Sequence, residues 1–154
     1  MTNVFQGLLQ AKLETIKEPD NLARLWVHEC ERIYGDRLVN QKHLQTYKEF
    51  VGNEHAKKAF PRQNLMKYFQ QKDPEPLVFA NFVASLDEEL YDQFPNADAI
   101  SARLQEALKE YNDVNAVMDL VLFDDAMKHI CKISRILGSN GGHALLVGVG
   151  GSGK

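Results

Sequence analysis

The sequence predicts a mainly α-helical chain: a helical bundle, followed by the first helices and first strand of a truncated α/β module built around a phosphate loop. Three observations predict this. Apolar residues recur at helical spacing before residue 72 and again between residues 98 and 137. Two prolines in Asp73-Pro74-Glu75-Pro76 break the chain between those stretches. Finally, the apolar run His143-Ala144-Leu145-Leu146-Val147 leads directly into Gly148-Val149-Gly150-Gly151-Ser152-Gly153-Lys154.

The elements follow in order. From Val4 to Ile16, Phe5, Leu9, Leu13 and Ile16 share one helical stripe, and the absence of a capping residue near Met1 implies a longer helix upstream. Pro19-Asp20 starts a second helix with Asp20 as N-cap; its core face is Leu22, Trp26, Cys30 and Ile33, and it ends near Gly35. Asn40 caps a third, bearing Leu44, Tyr47 and Val51. Short amphipathic pieces follow at 53–60 and 63–69, separated by Pro61. Residues 1–72 thus read as one helical unit with short connections.

Residues 73–97 read as a linking segment. Within it the β-formers of Leu77-Val78-Phe79-Ala80-Asn81-Phe82-Val83 suit an edge or isolated strand, and Pro95-Asn96 makes a turn. Residues 98–154 begin the next module. Asp98 caps a helix with Ile100, Leu104, Leu108 and Tyr111 in line. The last helix starts near Asp124, turns Met127, Ile130 and Leu137 toward a core, and ends at Gly138. Lys132 and Arg135 in its final turns complement the helix dipole. The run at 143–147 then has the continuous apolar character of a parallel strand buried on both faces.

Gly148 to Lys154 matches G-x-x-x-x-G-K, the phosphate-binding loop short of its final Ser or Thr. In a complete loop, backbone N–H groups cradle phosphate oxygens, the lysine reaches the terminal phosphates, and a helix N-terminus adds positive potential. A flexible glycine linker is the alternative, but a linker does not normally follow Leu-Leu-Val. The candidate nucleotide-binding residues are therefore Gly148, Val149, Gly150, Gly151, Ser152, Gly153 and Lys154. Without the hydroxyl and the following helix, the isolated chain is expected to be inactive and to hold no nucleotide.

The remaining residues argue for little chemistry. Net charge is −3 over 154 residues with 25% charged, and no basic stripe marks a nucleic-acid surface. No apolar run approaches the length of a membrane span and no signal-peptide pattern follows Met1. Cys30 and Cys131 lie in apolar helical patterns, which suits reduced thiols. His28 with Cys30 and His129 with Cys131 are spaced two apart, so neither pair shares a helix face to chelate an ion; buried thiols and surface histidines are expected instead. Leu120-Val121-Leu122-Phe123-Asp124-Asp125 imitates the magnesium-binding acidic strand of phosphate-loop folds, but that strand normally follows the loop. A helix start favoured by capping and dipole explains it. No catalytic constellation and no metal site are expected.

Longer motifs resemble a known family. Leu25-Trp26-Val27-His28-Glu29-Cys30-Glu31-Arg32-Ile33-Tyr34-Gly35-Asp36-Arg37-Leu38 resembles the L-W-x-H-E-x-x-R-(V/I)-x-x-D-R-L signature in the lid of the third AAA+ module of dynein heavy chains. Phe5-Gln6-Gly7-Leu8-Leu9 resembles the F-Q-G-L-L that precedes it. Tyr111-Asn112, the run from Met118 to Met127, His129 to Leu137 and Ala144 to Lys154 resemble the entry to the fourth module, in wording closer to axonemal than cytoplasmic dyneins.

The resemblance implies a helical AAA+ lid joined to the start of a P-loop AAA+ module. It further implies a parent that is an ATP-driven microtubule motor of cilia and flagella. That parent would use ATP or ADP with magnesium, and its partners would be the rest of its six-module ring and microtubules. Its location would be the cytoplasm, cytoskeleton and axoneme, with no nucleic-acid or membrane partner. The third and fourth modules would bind nucleotide in regulatory roles, and this segment would couple one module's lid to the next module's site. A stand-alone helical interaction module, or a piece of another P-loop NTPase, is the alternative.

Overall fold

A computed structural model of the chain describes residues 2–70 and 77–148. The expected proline break at 73–76 lies outside the described residues, as do Val149 to Lys154. The architecture is mainly helical, with one small antiparallel hairpin lodged between two groups of helices.

Helix α1, Thr2–Leu8, buries Val4 and Gly7. The helix expected to continue to Ile16 stops here, and Leu9 and Leu13 are both 83% exposed. The chain turns instead so that Leu8, Ala11 and Ile16 pack against Leu25, Phe79 and Tyr91. Burial of that set outweighs the weak preference for extending one stripe.

Helix α2, Pro19–Ile33, is the centre of the first group. Asp20 does not cap it. The N-cap is Glu18, without a side-chain cap bond, because Pro19 supplies a preset φ and needs no N–H partner. Asp20 instead accepts from Arg24 Nε at 3.0 Å, Lys67 Nζ at 3.2 Å and Tyr68 Oη at 3.1 Å. The buried residues are Ala23, Leu25, Val27, His28, Glu29 and Cys30, whereas Trp26 and Ile33 are only half-buried. The expected stripe is thus displaced, because α2 is covered from more than one side. Ala23 and Val27 meet Leu65, Phe60 and Trp26, while Leu25 meets Phe79 and Tyr91.

A 3-10 turn at Gly35–Arg37 leads to α3, Gln41–Glu49, capped as expected by Asn40, whose side chain accepts from the Lys42 N–H at 2.8 Å. α3 buries nothing; Val51 and Gly52, in the wider π-helical turn Phe50–His55, make the inward contact. Short helices α4, Ala56–Ala59, and α5, Lys67–Gln70, complete this part.

The hairpin comprises β1, Phe79–Ala80, and β2, Asp92–Gln93, paired Phe79 to Gln93 and Ala80 to Asp92. The Phe94 N–H donates to the Val78 carbonyl and the Leu90 N–H to that of Asn81, both at 2.9 Å. Alternation gives it two apolar faces. Val78, Ala80 and Phe94 join the cluster containing Ile100, Leu104, Met127 and Cys131, while Phe79 and Tyr91 join Leu25. The segment the sequence marks as a link is therefore packed on both sides.

Helix α6, Ala97–Val114, is capped by Asn96 rather than Asp98: Asn96 Oδ1 accepts from the Ala99 N–H at 2.8 Å. Ile100 and Leu104 are buried, but Tyr111 is exposed. Helix α7, Asp124–Leu137, buries Met127, Cys131 and Arg135. Leu137, expected in the core, is exposed; the buried row runs at four-residue spacing from Met127 and ends on an arginine. The strand expected at 143–147 forms no ladder, and Leu145 and Val147 are 90% and 88% exposed. A parallel strand takes its hydrogen bonds from neighbours, and the described residues place none beside it.

Candidate functional site

Only Gly148 of the candidate phosphate loop lies among the described residues, at the end of the largely exposed, irregular stretch after α7. Val149, Gly150, Gly151, Ser152, Gly153 and Lys154 lie outside them. What the structure does describe is the approach. Gly138 C-caps α7, and the chain then turns at Ser139–Gly142 with Gly141 at φ 67°. A Cβ on Gly142 would overlap the Ile136 carbonyl oxygen, so a side chain there cannot be accommodated without moving backbone. Gln10 Nε2 donates to Ser139 Oγ at 2.9 Å, tying the turn after α1 to the turn that launches the loop.

Between α2 and α7 lies a buried polar centre. Arg135 Nε donates to both Glu29 oxygens at 3.1 Å, and Arg135 Nη2 also donates to Glu29 Oε2. Tyr91 Oη, beside β2, donates to Glu29 Oε1 at 2.7 Å. Glu29 is fully buried and Arg135 nearly so, which makes this a charge-assisted pair held out of water. Burial works against the Arg135 charge, but the Glu29 carboxylate outweighs it and raises the guanidinium pKa. Burial, then the Glu29 charge, raises the pKa of the Tyr91 hydroxyl. Tyr91 is thus a fixed donor.

His28 also departs from expectation: it is buried, not a surface histidine. Its Nδ1 lies 2.7 Å from the Leu77 carbonyl oxygen. Burial first, and the neighbouring Arg32 charge second, push its pKa down to about 3, so the ring is neutral and its 3.9 Å approach to Glu29 is not an ion pair. Cys30 and Cys131 are buried free thiols, and burial pushes them up to about 12 and about 11, far from a reactive thiolate. A second, exposed link runs beside this centre, where Lys132 Nζ on α7 donates to Asp36 Oδ1 at 3.0 Å.

Asp124 and Asp125 occupy the first turn of α7 and are exposed, as the helix-start reading requires. Among the described residues, no group of three or more His, Cys, Asp and Glu could hold a metal ion. No described helix is long and apolar enough to cross a membrane. The polar centre escapes a sequence reading that assigns Arg135 to the helix dipole and leaves Glu29 inside a motif. Its signals are there: Glu29 stands four residues after Leu25, and Arg135 four after Cys131, each extending an apolar row with a charge.

Comparison with known proteins matches residues 1–67 to the AAA+ lid domain and residues 118–154 to the P-loop containing dynein motor region D4. The dynein alpha chain of the flagellar outer arm from Chlamydomonas reinhardtii is 49% identical over 154 residues, covering 100% of this chain. The ciliary dynein beta chain of Tripneustes gratilla is 45% identical and dynein axonemal heavy chain 17 of Homo sapiens 44%, each again across 100% of this chain. The chain spans 3% of the length of each of these relatives.

Proposed function

From the premise that this chain belongs to the dynein heavy-chain family, we propose that it couples the lid of one AAA+ module to the nucleotide loop of the next in an ATP-driven axonemal motor. Residues 1–72 are the lid, 73–97 the link, and 98–154 the start of the following module. Gly148 to Lys154 cradle the phosphates of ATP or ADP, with magnesium, when the parent is complete. The parent hydrolyses ATP to move along microtubules in cilia and flagella, and the chain's immediate partners are the neighbouring parts of its ring.

One observation supports the coupling role above the others. Glu29 falls within the stretch matched to the lid and Arg135 within the stretch matched to the following motor region, and the two form a buried pair. Any shift of α2 relative to α7 would separate charges that have no water to replace their partners. Displacement of the lid is then transmitted to α7, and through the Ser139–Gly142 turn to the loop.

The test uses the full motor. Nucleotide affinity at the loop is measured with the preceding module occupied and empty, and the ratio is the coupling factor. Arg135→Met should drive that ratio toward one while Lys154→Ala lowers the affinity itself. A folded Arg135→Met ring with its ratio unchanged would refute the coupling role.

A further inference from the structure

His28 and Arg32 stand one turn apart on α2 and so share a face. Both line a cavity of about 10 Å3 between α2, β1 and α7, whose walls include Phe79, Cys131 and Lys132. His28 Nε2 and Arg32 Nε are buried, and neither has a hydrogen-bond partner among the described residues. Their chemistry is complementary. The Leu77 carbonyl oxygen can only accept, so His28 carries its proton on Nδ1 and presents a lone pair at Nε2. Arg32 Nε can only donate. Asp36 Oδ2 lies 3.1 Å from it, an ion pair whose N–H is not aligned on the oxygen. A buried acceptor and a buried donor thus belong to two residues that line one space of about the size of a single water molecule.

We propose that one structural water binds between His28 Nε2 and Arg32 Nε, accepting from the arginine N–H and donating to the histidine. The volume is too small for an oxyanion, and the positive charges of Arg32, Lys132 and Arg135 disfavour a metal cation. The water completes a polar path from the Leu77 carbonyl through His28 to Arg32, which pairs with Asp36 and, through it, Lys132 of α7. The seam between α2 and α7 is then half dry, at Glu29–Arg135, and half hydrated, at His28–Arg32.

The experiment is NMR on the 154-residue chain with labelled histidine. The expected result is the Nδ1–H tautomer at His28, with a cross-peak from its ring to a long-lived water. A ring protonated at Nε2, or no long-lived water at the ring, overturns the proposal. Water relaxation dispersion on Arg32→Met should show the loss of one long-lived water; an unchanged count in a folded variant also overturns it. If that variant does not fold, the tautomer and cross-peak in the native chain still decide.

Discussion

Gly7 of α1 lies against the Glu29 carboxylate with no room for a methyl group between them. A Cβ built on Gly7 would overlap Glu29 Oε2 and stand 2.9 Å from Arg135 Nη2. Gly7→Ala inside a helix ordinarily stabilises by roughly 0.5–1 kcal/mol. Here overpacking against a buried charge pair should reverse the sign and cost roughly 1–3 kcal/mol. Urea unfolding of the two chains decides it: a higher midpoint in Gly7→Ala would mean that α1 does not rest on Glu29.

Removing one member of the Glu29–Arg135 pair strands the other. Glu29→Met and Arg135→Met should each cost about 3–5 kcal/mol, while the two changes together should cost much less than the sum. A double-mutant cycle measured by chemical denaturation provides the check. Additive losses would show that the two side chains do not depend on each other.

Stability should fall in acid above the range where carboxylates titrate. The His28 pKa is about 3 in the folded chain and near 6.5 when unfolded, so between those values the unfolded chain binds the extra proton. The contribution is complete above about pH 6.5 and shrinks as the pH drops toward 3, by up to about 1.4 kcal/mol per unit. Asp20 acts in the same direction but lower, below the ordinary carboxylate value of 3.8, where its bonds to Lys67 and Tyr68 outweigh its burial. Unfolding measured from pH 7 to 4.5 should therefore show a slope that His28→Phe flattens. An equal slope in both chains would place the effect elsewhere.

Side-chain size and burial disagree on α2, and burial should win. Leu25 is fully buried, so Leu25→Ala should cost about 2–5 kcal/mol. Trp26 is half-buried, packed on Phe60 with ring centroids 5.5 Å apart, so Trp26→Ala should cost roughly half the 3–5 kcal/mol of a buried tryptophan. Thermal or urea unfolding of both variants ranks them, and a larger loss from Trp26 would reverse the assignment.

In the complete motor, Lys154→Ala should weaken nucleotide binding at its loop while leaving basal ATPase largely present. On the proposed reading the lysine would supply the cation that meets the terminal phosphates, and the main hydrolysis would lie in another module. Gliding speed and its ATP dependence should change more than turnover itself. Complete loss of turnover in a folded ring would identify this loop as the principal one.

Helical periodicity made α2, α6 and α7 legible, and Asn40 could be read as a cap because nothing else competes for its side chain. The caps at Asp20 and Asp98 could not. Asp20 is drawn away by Arg24, Lys67 and Tyr68, and Asn96, two residues before Asp98, starts the helix earlier by accepting from the Ala99 N–H. Phe5, Leu9 and Leu13 fit a helical stripe, yet only tertiary packing decides whether a stripe is buried. Pairing between Glu29 and Arg135 spans 106 positions, and no local pattern reports which acid meets which base. Gly7 and Tyr91 owe their roles to the same encounter. The candidate phosphate loop reads as a motif because its residues are consecutive, and all of it but Gly148 lies outside the described residues.

Distance along the chain also sets a schedule. A ribosome adds roughly 5–20 residues each second, so Glu29 emerges roughly 5–20 s before the arginine it will meet. Until then α2 can form, but its carboxylate must stay hydrated, and the apolar surface around it stays open to passing chaperones. Completion of the first helices during synthesis is therefore timed by the arrival of α7, and a pause in translation between the two lengthens the interval in which this part of the chain is vulnerable.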